Sequence, residues 1–132
     1  MLVIRQKFIN RIDLQLNPQL LFLFGDNTGR EGLGGQAKEM RYEPNAFGIP
    51  TKHLDGYFSE TPECYRIIDN AFRQLAHTVA QPRCCFSLKH RYNYKGIVIP
   101  TDGLGTGISN MQEHCPHLLV YLNKKLDKLK RW

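Results

Sequence analysis

The chain has 132 residues, a net charge of +6, and 42% apolar and 23% charged residues. These values suit one globular domain able to bury a core without metal or disulfide support, and no apolar run approaches a membrane span. The opening MLVIRQKF lacks the long apolar stretch of a secretory leader, so a single cytoplasmic domain over residues 1–132 with no membrane partner is expected.

Residues 1–9 read as a first strand, with LVI giving way to the alternating RQKF. Asn10 to Asn17 stays open: Ile12, Leu14 and Leu16 alternate as in a strand, whereas Asn17-Pro18 marks a turn. LLFLF at 20–24 is a continuous apolar run of strand length, as for a strand buried on both faces. A glycine-rich loop then leads into GGQAKEMRY, where Ala37, Met40 and Arg41 suggest a short helix. AFGIPTK at 46–52 is a short strand, and HLDGYFS after it reads as a loop.

Thr61-Pro62-Glu63 opens a helix, with Thr as the cap, Pro at the first helical position and an acid in the first turn. Apolar residues at 64, 67, 68, 71, 72, 75, 76 and 79 keep helical spacing until Pro82. CCFSL at 84–88 reads as strand or extended chain, and GIVIP at 96–100 as a second buried strand. Ser109 with Gln112 matches a capping box. The last helix carries apolar residues at 111, 115, 118, 119, 122, 126 and 129, with Pro116 marking its start. This alternation predicts an α/β layered domain with a mixed or largely parallel central sheet.

Four cysteines form no C-x-x-C, and His114 and His117 lack a third ligand at metal spacing, so buried thiols and no metal or cofactor are expected. The positive charge gathers at Lys89, His90, Arg91 and Lys95 and at Lys124, Lys125, Lys128, Lys130 and Arg131. A basic surface favours phosphate-bearing partners. The second run reads first as a solvated helix end, whose lysines suit the negative pole of the dipole, so nucleic acid is a possible but not favoured partner. Tyr57, Phe58, Tyr92 and Tyr94 read as packing residues before stacking ones.

Eight of the eleven glycines lie in two windows, FLFGDNTGREGLGGQA at 22–37 and VIPTDGLGTG at 98–107. Both follow apolar strands, and ligands of open α/β sheets bind beyond the carboxyl ends of the strands. Glycine lets the backbone approach a ligand closely, and a helix N-terminus adds unpaired amides. Two such loops side by side suit a diphosphate held between two walls. Neither window fits a Walker loop or a dinucleotide fingerprint.

Asn27 followed by Gly34-Gly35-Gln36-Ala37, together with Pro100-Thr101-Asp102-Gly103-Leu104-Gly105-Thr106-Gly107, resembles the two ligand loops of macrodomains, the ADP-ribose-binding α/β family. The GDN loop, the IPTK strand and the glycine-rich ending are also similar to a group of short phage and bacterial proteins. The resemblance implies a three-layer macrodomain-like α/β sandwich. It implies that Gly105, Thr106 and Gly107 cradle a diphosphate, that Gly34, Gly35 and Gln36 form the opposite wall, and that Asn27 meets the distal ribose. Thr28, Thr101 and Gly103 belong to the same ligand-facing set. Asp26 reads as a helix-entry cap or a ribose partner, and Arg30 as a solvated loop residue or a phosphate partner.

Ile49-Pro50-Thr51-Lys52 and Ile99-Pro100-Thr101-Asp102 repeat one pattern. Were their strands neighbours, Lys52 and Asp102 would share a sheet end, as a surface ion pair or as a catalytic pair beside Asn27. In the second case Asp102 would act as general base, while Lys52 would stabilise charge or attack as an amine. The leading expectation is therefore binding of ADP-ribose or an ADP-ribosylated macromolecule with hydrolysis of an ADP-ribosyl linkage. The alternatives are a non-catalytic nucleotide binder and, behind it, an RNA-binding module.

Overall fold

The computed structural model describes residues 1–80 and 94–132. Strands β1 (Leu2–Gln6), β2 (Leu20–Asn27), β3 (Ala46–His53), β4 (Gly56–Tyr57) and β5 (Gly96–Pro100) form one sheet in the order β1-β5-β2-β3-β4. The first four in that order run parallel, and β4 turns back antiparallel with Lys52 opposite Tyr57. The helices are α1 (Arg11–Leu16), α2 (Ala37–Met40), α3 (Pro62–Ala80), α4 (Met111–His114) and α5 (Pro116–Lys128), followed by a 3-10 turn at Leu129–Arg131. The fold is a mixed α/β domain, and the stretch expected as a loop after residue 52 contains β4.

Side chains alternate between the two faces of a strand, and the sheet is covered on both. On one face Phe22, Phe24 and Val98 meet Leu14 of α1 and Ala37 and Met40 of α2. On the other, Leu21, Leu23, Ile97 and Ile99 meet Ile68 and Leu75 of α3 and Leu118 and Leu122 of α5. Double burial explains why LLFLF and GIVIP are unbroken apolar runs. Between α3 and α5, the Tyr121 hydroxyl donates to Asp69 at 2.5 Å and Lys125 pairs with the same carboxylate at 2.9 Å.

Two local expectations are resolved differently. Residues 11–16 are helical because Asn10 and Asp13 cap each other reciprocally, each side chain accepting from the other's backbone N–H at 3.0 Å. The alternating Ile12 and Leu16 stay exposed, and only Leu14 is buried. The Ser109–Gln112 capping box does not form. Asn110, at φ 44°, stands at the N-cap of α4, and the Gln112 amide donates to Thr106 O at 3.0 Å. Pro116 does open the final helix.

The expected strand at 84–88, the Pro82 stop, and Cys84, Cys85, Lys89, His90, Arg91 and Tyr92 lie outside the described residues. Among the described residues no helix is long and apolar enough to cross a membrane.

Candidate functional site: a cleft between two glycine loops

Loop 1 (28–36) leaves β2 and loop 2 (101–110) leaves β5. Because β2 and β5 are neighbours, both loops rise at one end of the sheet. They also touch. A Cβ on Gly25 would stand 3.5 Å from Gly105 N, and one on Gly34 would stand 2.9 Å from Ile108 Cδ1. Gly105 has φ +83°, and the Met111 sulfur fills the place its Cβ would take, so steric room and backbone conformation both demand glycine there.

The floor of the cleft is an ion pair. Asp26 extends β2 rather than starting the loop, and its carboxylate is buried against the Arg41 guanidinium. Nη2 bonds Oδ1, and Nη1 lies 3.2 Å from Oδ2. Arg41 Nε also donates to Gly32 O at 2.7 Å, and the guanidinium lies over the Phe24 ring. One side chain thus ties the strand end to loop 1 with the bidentate geometry that suits a carboxylate. Asp26 is therefore not a helix cap; Gln36 stands at the N-cap of α2 and makes no side-chain cap bond. Arg30, at φ 56°, donates to Gly48 O at 2.7 Å and stands 3.9 Å from Asp26 Oδ2. It borders a different cavity, beside Thr28, His53 and α3. In the residue pattern Arg41 reads only as part of a short helix. Its signal was a buried strand end that carries an acid and needs a counter-charge.

Over this floor lies a cavity of about 180 Å³. Loop 1 lines it with Gly32 and Gly34, loop 2 with Ile108 and Ser109, and the strand ends with Asn27 and Lys52. The amides of Gly32, Leu33 and Gly34 on one side, and of Ile108 and Ser109 on the other, donate to no backbone carbonyl among the described residues. Ser109 is buried, whereas Gly32, Leu33, Gly34 and Ile108 are exposed, so these amides are open to water or to an anion that displaces it.

The residues of loop 2 expected to cradle a diphosphate do not line this cavity. Gly105 packs beneath the cavity, while Thr106 and Gly107 are exposed and do not line it. The Thr101 amide is taken by Gln6 O and that of Gly103 by Pro100 O. Thr28 accepts from Leu54 N–H at 3.2 Å, and Gln36 accepts from Gly25 N–H at 3.2 Å, so both side chains brace the loops. Asn27 braces loop 1 as well, its amide donating to Glu31 O at 2.7 Å. Helix polarity contributes little, because α2 and α4 are single turns.

The premise for a Lys52–Asp102 pair is not met. Lys52 lies opposite Asn27 on β3, whereas Asp102 follows β5 on the other side of β2. Two strand spacings separate their backbones by roughly 10 Å. Lys52 Nζ instead donates to Leu54 O at 3.4 Å, and Asp102 is exposed. Beneath the cavity, Thr51 is fully buried and its Oγ1 lies 2.6 Å from Ser109 Oγ and 3.3 Å from Asp26 O. This pair joins β3 to loop 2.

A second cavity, about 350 Å³, opens beyond Gly35 and Gln36 on the β1 side, where Phe8, Ile9, Met40 and Pro100 give it apolar walls. Loop 1 separates the two cavities.

Elsewhere, Phe58 is core and Tyr57 stacks on His114 with centroids 3.8 Å apart. Cys64 and Cys115 are free and buried; burial, then neighbouring Cys64 and Glu60, push the Cys115 thiol up to about 11. Among the described residues no group of three His, Cys, Asp or Glu could hold a metal ion.

A model described as a family of unknown function (DUF7831) matches residues 4–125, and the chain belongs to that family. Neither the curated proteins nor the solved structures contain a match to it.

Proposed function

We propose that this chain binds ADP-ribose or a closely related nucleoside diphosphate sugar in the cleft between loops 1 and 2. The observation that supports this most is that Gly32 and Gly34 of loop 1 and Ile108 and Ser109 of loop 2, whose amides donate to no backbone carbonyl among the described residues, line one small cavity. Backbone amides of two loops gathered around one cavity suit an anion with several acceptor oxygens, as a diphosphate has. The apolar cavity beyond Gly35, with Phe8 at its rim, is roomy enough for a nucleobase. Sheet layers with helices on both faces are in keeping with a three-layer macrodomain-like sandwich.

Binding without cleavage is the form of this proposal that the geometry favours. Lys52 borders the cavity, but Asp102 does not, and the two are separated by β2. Hydrolysis of an ADP-ribosyl linkage would therefore need Lys52 to act without the carboxylate expected as its partner.

Thermal denaturation with ADP-ribose, ADP, AMP and inorganic pyrophosphate tests the reading. A ligand at a hundredfold excess over its Kd adds about 2.7 kcal/mol of stability, a rise of several degrees for a domain of this size. ADP-ribose should give the largest rise. No shift with any of the four compounds rejects the proposal.

A further inference from the structure

The two outer edges of the sheet end differently. On one side, β4 pairs with the end of β3, Pro50 has no N–H to offer, and the Arg30 guanidinium donates to Gly48 O at 2.7 Å. On the other side β1 is open. Thr101, which continues β5, donates its N–H to Gln6 O. Backbone groups of successive strand residues turn to opposite sides, so Leu2, Ile4 and Gln6 bond toward β5 while Val3 and Arg5 bond outward. Among the described residues the N–H and C=O groups of Val3 and Arg5 have no hydrogen-bond partner. Such a row of groups is a template for one more strand.

Charge decides which strand. The Arg5 guanidinium reaches Asp127 of α5 at 3.5 Å. Lys124 lies one helical turn before Asp127, and Lys128, Lys130 and Arg131 follow where the 3-10 turn packs on β1. All four are exposed, and among the described residues none is in an ion pair. Between residues 124 and 131 the one acid is Asp127, already paired. On the opposite face Asp13 is taken up by the Gln6 amide and the Asn10 N–H.

A second copy of this edge would bring two basic clusters together, which like-charge repulsion opposes. A nucleic acid lacks the peptide groups that match the outward N–H and C=O of β1. An acidic strand meets both demands. Leu2 shares the face of Ile4 and is 59% exposed, so apolar side chains placed between the acids find a contact there.

We propose that the outer edge of β1 binds an extended acidic segment of a partner protein as an added strand, with its acids alternating with apolar residues. The proposal is independent of the nucleotide reading.

Fluorescence anisotropy with a labelled peptide alternating glutamate and valine tests it. The peptide should bind saturably, and one with lysine in place of glutamate roughly tenfold more weakly or worse. A strand turns only one of its two alternating sets of N–H groups to β1. Of two peptides, one N-methylated at the glutamates and one at the valines, one should therefore lose binding and the other keep it. The exposed pair Lys124→Glu with Lys128→Glu should weaken the acidic peptide about tenfold. Val3→Pro, which removes an outward N–H where an edge strand tolerates proline, should weaken it as well; unchanged thermal denaturation checks the fold of both variants. No binding by the wild type, or equal effects of the two methylated peptides, overturns the inference. So does tighter binding of an oligouridylate of equal charge, which would make the surface one for nucleic acid. A dimer in sedimentation that Val3→Pro dissociates would give the edge to a second copy and overturn it too.

Discussion

Arg41 grips both carboxylate oxygens of Asp26 at the buried end of β2, and through Gly32 O it also sets the path of loop 1. A buried pair of this kind matters most when one partner is lost, because the other charge then stays uncompensated. Arg41→Met should therefore cost about 3–5 kcal/mol, read by urea unfolding. Arg41→Lys keeps the charge but not the fork and should fall between. The double variant Asp26→Leu with Arg41→Met should recover much of the loss. A cost below about 1 kcal/mol for Arg41→Met, the level of an exposed pair, would deny the pair its structural role.

The glycines divide into two classes with opposite expected behaviour. A Cβ on Gly48 would stand 2.5 Å from Asp26 Oδ2, and one on Gly105 would meet the Met111 sulfur at a positive φ. Gly48→Ala and Gly105→Ala should both lower the melting temperature by several degrees. Gly107 has nothing within 4 Å of the added atom, and at Gly34 only the flexible end of Ile108 must move. Gly34→Ala and Gly107→Ala should melt within about two degrees of wild type, a surface-like cost. Gly34→Ala, which narrows the cavity, should weaken ADP-ribose at least tenfold, and Gly107→Ala less than threefold because Gly107 lies outside it. The reverse order for these two variants would move the binding wall back to the tip of loop 2.

Much of this architecture could be read from residue pattern alone, and what could not has physical causes. LLFLF and GIVIP announced buried parallel strands because double burial removes the alternation that one-sided strands show. The two glycine windows announced the sheet end at which a cleft would form. Strand order is hidden in the sequence, since no residue in β3 or β5 records that β2 lies between them, and the pairing of Lys52 with Asp102 depends on those strands being neighbours. Arg41 looked like the end of a short helix because its carboxylate lies fifteen residues away. The Thr51–Ser109 contact spans 58 residues, a separation at which a sequence carries no sign of pairing.

Lys52 and Asp102 separate binding from cleavage. Lys52 borders the cavity opposite Asn27, whereas Asp102 sits outside it. Lys52→Ala should weaken ADP-ribose several-fold by removing a cation near the diphosphate. Asp102→Asn should leave affinity within twofold. If the chain is a binder alone, prolonged incubation with ADP-ribosylated protein releases no ADP-ribose in the wild type or in either variant. Release by the wild type that Lys52→Ala abolishes with affinity retained would establish catalysis and overturn the binding-only form.

Stability should fall at both ends of the pH range through the link between α3 and α5. Burial opposes the charge on Asp69, but the Tyr121 hydroxyl and Lys125 outweigh it and hold its carboxyl below the ordinary value. A depressed acid contributes stability above its unfolded pKa, about 4, and loses that contribution as the pH falls further. On the basic side, the hydrogen bond to Asp69, then burial, raises Tyr121. Lys125 is raised because its pairing with Asp69 outweighs desolvation. Raised groups contribute fully below their unfolded values, near 10, and their contribution fades as the pH climbs through the folded ones. Asp69→Asn removes the common partner, so the wild-type advantage over this variant should be greatest between about pH 5 and 9 and shrink on both sides. Urea midpoints of the two proteins at pH 3, 7 and 11 measure it, and a constant difference across the three would mean that the three groups are not coupled.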